Sequence, residues 1–259
     1  MKNKIWTLIF PLTLILAACA PSPAPVVSET MPEVAAEDPL EAAPPAETTT
    51  EAVTQGVGFC ANEFYPLRSD KTWRYSINSA EQVSEYTLTF KDITENSFTI
   101  LQTFPDLTNE VAWTCSADGM LSSNFASMNL ASVADVEFET IDMGGIALLP
   151  EEQWLVGASW PMEFQVRAVF TSSGSQFTGE GQINLTRAIT AQESVTVPAG
   201  NYPDAFRVDS SGEFIISVLG AQTSTPVSYS DWYVRGVGLV KSVSGTDALP
   251  YSMELVAFE

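Results

Sequence analysis

Residues 206 to 218 read Phe-Arg-Val-Asp-Ser-Ser-Gly-Glu-Phe-Ile-Ile-Ser-Val. Phe206, Val208, Phe214, Ile216 and Val218 fall on alternate positions, with Ser210 and Gly212 completing that set. Arg207, Asp209, Ser211 and Glu213 take the positions between. A period of two places one set on each face of a β-strand, whereas a helix would gather residues three and four apart. The same alternation recurs in both directions along the chain. Tyr86, Leu88 and Phe90 oppose Glu85, Thr87, Thr89 and Lys91, and Met162, Phe164, Val166, Ala168 and Phe170 oppose Glu163, Gln165 and Arg167. Shorter strand-like segments lie at 72–78, 97–104, 110–116, 136–141, 178–187, 193–198, 227–234, 239–244 and 251–258. Turn chemistry separates most of them: Ala117-Asp118-Gly119, Met143-Gly144-Gly145, Ser172-Ser173-Gly174-Ser175 and Pro198-Ala199-Gly200-Asn201. Strands joined by short turns, without helical periods between them, predict an all-β fold. Its form is a mostly antiparallel sheet of about 12 strands, as a curved sheet, partly open barrel or sandwich with little helix. Residues 122–135 fit neither period and predict a short helix or an irregular crossing equally well.

At the other end of the chain, Lys2 and Lys4 precede a twelve-residue apolar stretch from Ile5 to Leu16. As a helix it would span roughly 18 Å, short of the roughly 30 Å hydrocarbon core of a bilayer, so it reads as the apolar region of an export signal. Leu16-Ala17-Ala18-Cys19 follows. It resembles the lipobox of bacterial lipoproteins, in which the cysteine thiol receives a diacylglycerol before the signal is cleaved. The resemblance implies a signal peptide over 1–18 and a mature protein held on the membrane through acylated, palmitate-type Cys19. It further implies an extracytoplasmic site, in the outer membrane if the bacterium has two, because Ala20 carries no aspartate retention signal. Residues 19–57 hold seven prolines, seven carboxylates and no lysine or arginine. Such a segment buries too little apolar surface to offset the entropy of ordering it, so it is expected to be a disordered acidic tether. The β domain is expected over 58–259.

Composition narrows the chemistry. The chain has 32 acids, 11 bases and no histidine, for a net charge of −21, and the segment after the tether carries 25 acids against nine bases. That excess repels polyanions, so no nucleic-acid partner is expected. Without imidazole, Ser-His-Asp and Cys-His catalysis and histidine-bearing zinc sites are closed. No nucleophile elbow, phosphate loop or calcium loop is present. Gly236-Val237-Gly238 starts a dinucleotide fingerprint but lacks its third glycine and a following helix. Glu137 with Glu139, and Glu151 with Glu152, read as solvated surface, and Asp106 with Asn109 and Glu110 lacks calcium-ligand spacing. Hence no catalytic residue, metal or cofactor is expected, and the protein is read as no enzyme.

Export would place Cys60 and Cys115 in an oxidising compartment, and with Cys19 taken by lipid these are the two remaining thiols. Cys115 shares a strand face with Val111 and Trp113, which points it inward. A structural disulfide closing about 56 residues would contribute about 4 kcal/mol.

Several phrases resemble a known type of sequence. Phe64-Tyr65-Pro66-Leu67 with Lys71-Thr72-Trp73-Arg74-Tyr75, Thr196-Val197-Pro198-Ala199-Gly200-Asn201-Tyr202 with Phe206-Arg207-Val208, and Asp231-Trp232-Tyr233-Val234-Arg235-Gly236-Val237-Gly238-Leu239-Val240-Lys241 are similar to motifs of the TapB-like group of exported bacterial β-proteins. Asp70 stands where that group has glycine. The resemblance implies an exported, β-rich envelope protein without an assigned activity, related in shape to the half-open barrels of lipoprotein carriers. Tryptophan also heads a strand twice, at Trp73 and Trp160, each after a proline-led loop. This fits two similar lobes with a break near 145–150, or two like strand entries in one sheet.

Two functions remain. One is a tethered interaction or scaffold domain meeting other envelope proteins. The other is a carrier for a lipid or other apolar ligand, faced by Phe164, Val166, Phe206, Phe214, Ile216 and Trp232.

Overall fold

The computed structural model describes residues 55–79, 82–123, 136–172, 175–245 and 250–259. The export signal, Cys19, nearly all of the tether and most of 122–135 lie outside these residues. Twelve strands are present: β1 Trp73–Ser79, β2 Gln82–Lys91, β3 Ser97–Thr103, β4 Thr108–Ser116, β5 Gly119–Ser122, β6 Val136–Gly145, β7 Ser159–Ser172, β8 Ser175–Val197, β9 Gly200–Val218, β10 Ala221–Val234, β11 Gly238–Ser244 and β12 Tyr251–Phe258. Single 3-10 turns at Gly58–Cys60 and Glu151–Gln153 are the helical elements among the described residues.

All strands join one antiparallel sheet in the order β5-β4-β3-β2-β1-β12-β11-β10-β9-β8-β7-β6. Every neighbour but one is consecutive in sequence, and the exception pairs the first strand with the last, Trp73 opposite Phe258. The sheet is therefore an up-and-down meander curled into a nearly closed barrel, with its gap between β5 and β6. The segment after β6 spans that gap. Met120 of β5 exchanges backbone hydrogen bonds with Leu148, and Ala147 N–H also donates to Met120 O. Gly119 makes this approach feasible, because a Cβ on it would meet Leu148 O at 2.3 Å and its φ is +138°. Residues 145–150 thus lie across the gap of one barrel, as two like strand entries in one sheet allow.

Alternation gives the core. Trp73, Tyr75, Tyr86, Leu88, Phe90, Met162, Phe164, Val166, Ile183, Leu185, Val208, Met253 and Leu255 point inward and are buried. At about 25 cal/mol per Å2 of apolar area, these side chains supply the main term opposing chain entropy. Cys60 and Cys115 form a disulfide with Cα atoms 5.3 Å apart, fastening the entry of the chain to β4. Residues just before 58 also contact the domain, since Gln55 bridges Arg68 and Gly56 N–H donates to Leu67 O.

Three expected boundaries change. Segments 178–187 and 193–198 are one strand, β8, whose register shifts at Ile189/Ala191 and Glu193/Val195. These bulges add a residue and interrupt the period-two signal that the sequence reading relied on. Met143-Gly144-Gly145 continues β6 instead of turning, and the short β5, buried and only four residues long, carries too little pattern to be read. Gly212 marks a further device. A Cβ there would lie 1.8 Å from Asn184 O, so only glycine permits this approach of β9 to β8. Before Gly212, β9 buries Ala205, Val208 and Ser210; beyond it every residue to Val218 is half-buried or exposed.

Candidate functional site

The inner face of β7 to β10 carries a charge where the pattern demands an apolar residue. Arg187 follows Ile183 and Leu185 in the inward register of β8 and is buried. Trp160, Arg187, Ser210 and Tyr229 are successive cross-strand partners on β7, β8, β9 and β10. The guanidinium lies between two rings, 5.7 Å from the Trp160 centroid and 5.9 Å from that of Tyr229. Arg187 Nη2 donates to Asp231 Oδ2 at 2.7 Å, and Nη1 donates to Ala147 O, tying the barrel wall to the segment that closes the gap. Asp231 Oδ1 accepts from Ser242 Oγ at 2.7 Å, and Ser242 Oγ is 3.0 Å from Tyr251 OH.

This network borders a cavity of about 80 Å3. Six of the seven tyrosines line it, namely Tyr65, Tyr75, Tyr86, Tyr229, Tyr233 and Tyr251, together with Arg187, Asp231 and Gln102. Burial pushes the phenols of Tyr65 and Tyr75 well above their ordinary range, and it raises Tyr86, Tyr233 and Tyr251 strongly as well. They are neutral hydroxyls at any physiological pH, available to donate and accept but not to act as phenolate bases. Burial also pushes the Asp231 carboxyl up, against the pull of Arg187, Ser242 and Tyr233. Arg187 stays charged, since its guanidinium does not lose its proton in proteins.

Among the described residues, four buried atoms on the cross-strand row find no hydrogen-bond partner of good geometry: Trp160 Nε1, Arg187 Nε, Ser210 Oγ and Tyr229 OH. Ser210 and Tyr229 sit close enough to influence each other electrostatically without reaching good bonding geometry. Of these four residues, Arg187 and Tyr229 line the cavity. Its size decides what is excluded. Pockets for organic ligands occupy roughly 300–1,000 Å3, and even benzene uses an apolar cavity of about 150 Å3. An acyl chain does not fit about 80 Å3, whose wall joins the tyrosines and the ion pair to Leu88, Ile100, Leu148 and Leu239.

The six residues expected to face an apolar ligand divide. Phe164 and Val166 are fully buried, and Phe206, Phe214 and Ile216 are half-buried on the same inner face. None of them lines the cavity. They pack on one another and on the core: Phe206 meets Phe64 edge-on at 5.1 Å, while Phe214 and Val166 occupy the space that a side chain on Gly181 would need. Trp232 is a correction. It pairs with Arg207 and Lys241 on the outer face, where its Nε1 donates to Glu193 and its ring lies under the Arg207 guanidinium. Its neighbours Asp231 and Tyr233 take the inward positions. Arg187 and Asp231 escaped the sequence reading, although each interrupts an inward apolar run, and a charge in an apolar register is the legible signal of a buried pair.

No group of acidic or cysteine side chains arranged to hold a metal occurs among the described residues. No family model and no curated protein matches the chain, so the likeness to the TapB-like group finds no support there. Two solved structures share the fold. A protein of Parabacteroides distasonis designated a candidate lipoprotein superposes with a TM-score of 0.53 at 15% identity, over 76% of this chain and 99% of that one. A candidate exported protein of Bacteroides fragilis with a YmcC-like fold gives 0.50 at 12% identity, over 77% of this chain and 100% of that one. At such identities the likeness extends to the fold and no further.

Proposed function

We propose that the chain is a lipid-anchored protein of the bacterial cell envelope whose barrel is a non-catalytic interaction domain. The observation that carries this reading is the interior: among the described residues it is occupied by the protein's own aromatic side chains and the Arg187–Asp231 network, which borders a cavity of only about 80 Å3. Recognition is thereby left to the outer surface, and carriage of an acyl chain loses its container. The lipobox at Leu16-Ala17-Ala18-Cys19 and the acidic stretch behind it support attachment through diacylglyceryl-Cys19, with the domain outside the cytoplasm. Both candidate names among the structural neighbours, one a lipoprotein and one an exported protein, agree with that setting.

Intact-mass spectrometry of the chain extracted from membranes tests both halves. The expected product begins at Cys19, carries the mass of its acyl groups and brings no additional lipid through gentle desolvation. A mature form without acyl mass would end the anchor reading, and a stoichiometric co-extracted lipid would restore the carrier.

A further inference from the structure

The cavity joins two kinds of wall. Leu88, Ile100, Leu148 and Leu239 give it apolar surface, and six phenols with Arg187, Asp231 and Gln102 give it polar surface. An apolar cavity stays dry and takes up xenon or a hydrocarbon, whereas a polar one with several partners in reach holds water. The placement of the hydroxyls decides between the two.

Two of the phenols are short of partners. Tyr65, half-buried, borders the cavity and feels the charge distribution of Tyr233 and Tyr86, yet it enters no hydrogen bond among the described residues. Tyr233 OH lies 3.5 Å from both Asp231 Oδ2 and Arg187 Nη2, at the outer limit of bonding. At that spacing a bridging water competes well with the direct contact. Tyr75 OH donates to Leu239 O at 2.7 Å and Tyr86 OH to Met253 Sδ at 3.1 Å, so each keeps a lone pair for a further bond. The wall therefore offers hydroxyl protons at Tyr65 and Tyr233 and acceptor capacity at Tyr75 and Tyr86. Its cation, Arg187, is already matched by Asp231 at 2.7 Å.

An occupant suited to this wall donates as well as accepts, carries no net charge and is small. An anion would only accept, and it would lie beside Asp231. A gas or hydrocarbon would leave Tyr65 and Tyr233 without the bonds they lack. At roughly 30 Å3 of liquid volume per molecule, a cavity of about 80 Å3 accommodates about three waters. We propose that the cavity is a binding site for a cluster of ordered waters that bonds Tyr65 and Tyr233 and hydrates the open side of the Arg187–Asp231 pair. The proposal goes beyond the interaction reading, which requires only that no acyl chain enters. It makes the centre of the barrel a wet site, closed to small apolar molecules as well as to lipids.

The test uses the full chain in detergent micelles, labelled at isoleucine and leucine methyls, with water and xenon as probes. Cross-relaxation from water should reach Leu88, Ile100, Leu148 and Leu239 several-fold more strongly than Ile183, Leu185 and Ile189, which are also buried but do not border the cavity. Xenon under pressure should shift none of the four cavity methyls saturably. Combining Tyr65→Phe with Tyr233→Phe removes two hydroxyls and keeps both rings, so transfer from water should fall several-fold and xenon should now shift the same methyls to saturation. Saturable xenon binding in the unaltered chain, or transfer from water no stronger at the four methyls than at the controls, would overturn the proposal. Both of those measurements stand without the variant, should it fail to fold. Neither result touches the interaction reading, which fails only when a stoichiometric lipid is extracted with the chain.

Discussion

Two arginine–aspartate pairs stand on the same three strands, on opposite faces. Arg187 and Asp231 meet inside the barrel at 2.7 Å with side chains 2% and 7% exposed. Arg207 and Asp209 meet outside at 2.8 Å, at 38% and 34%. Identical chemistry has different consequences in the two settings. The inner pair reaches from β8 to β10 across β9, so it forms only in the correct register. Its charges are removed from water at a cost that attraction, the bond Asp231 accepts from Ser242 and the bond Arg187 donates to Ala147 O must offset. The outer pair joins two residues of β9, with Thr190 and Ser230 also donating to Asp209. Water screens it, and little stability depends on it. The position of a charge relative to the sheet, more than the partner it finds, decides whether it is structural.

The largest expected effect comes from breaking the inner pair. Asp231→Ala leaves a buried, uncompensated Arg187 and should cost about 3–5 kcal/mol in urea denaturation. The double change Arg187→Met with Asp231→Leu should recover most of that loss, because it removes both desolvated charges. A double variant no better than Asp231→Ala would show that packing, and not charge burial, governs the site.

Arg207→Ala on the outer face should cost only about 0.2–1 kcal/mol, with part of the loss reflecting contact with the Trp232 ring. Added salt should shrink this difference further, whereas the Asp231→Ala effect should hardly change. Equal salt sensitivity at both sites would erase the distinction between faces.

The smallest effect, and the sharpest contrast, is in titration. Burial pushes Asp209 up, but hydrogen bonds from Ser230, Thr190 and Arg207 outweigh it and hold the carboxyl below its ordinary range. Its stabilising contribution is present above the unfolded value of about 3.9 and is lost as pH falls through the lowered folded value. Burial instead raises Asp231, so the folded state binds its proton first, and that group's contribution declines as pH rises from about 3.9 through the raised folded value. Carboxyl carbon chemical shifts followed against pH should place Asp209 below and Asp231 above an ordinary aspartate. Coincident curves would contradict the two environments.

Much of this fold was legible because alternation is a local property. Tyr86, Leu88 and Phe90, or Met162 to Ala168, declare their inner face within a few residues, and the structure buries them as read. Legibility failed where one residue disturbed the period, as at the bulges of β8, or where a strand was too short to show one, as in β5. The site was less legible. Assigning Trp232 inward followed from its hydrophobicity, but the alternation set by Tyr229, Asp231 and Tyr233 places it outward. The cavity unites residues from Tyr65 to Tyr251, and no local pattern predicts which tyrosines converge.

By itself the sequence determined an all-β chain with antiparallel hairpins, a paired Cys60 and Cys115, and no route to histidine chemistry. These follow from local periodicity and from residue types that are present or missing. Only the tertiary structure decided that β1 pairs with β12, that residues 147–148 close the barrel, and that Arg187 finds Asp231 44 residues away. Those outcomes depend on sheet curvature and on desolvation, which are properties of the assembled core and have no local counterpart in the chain.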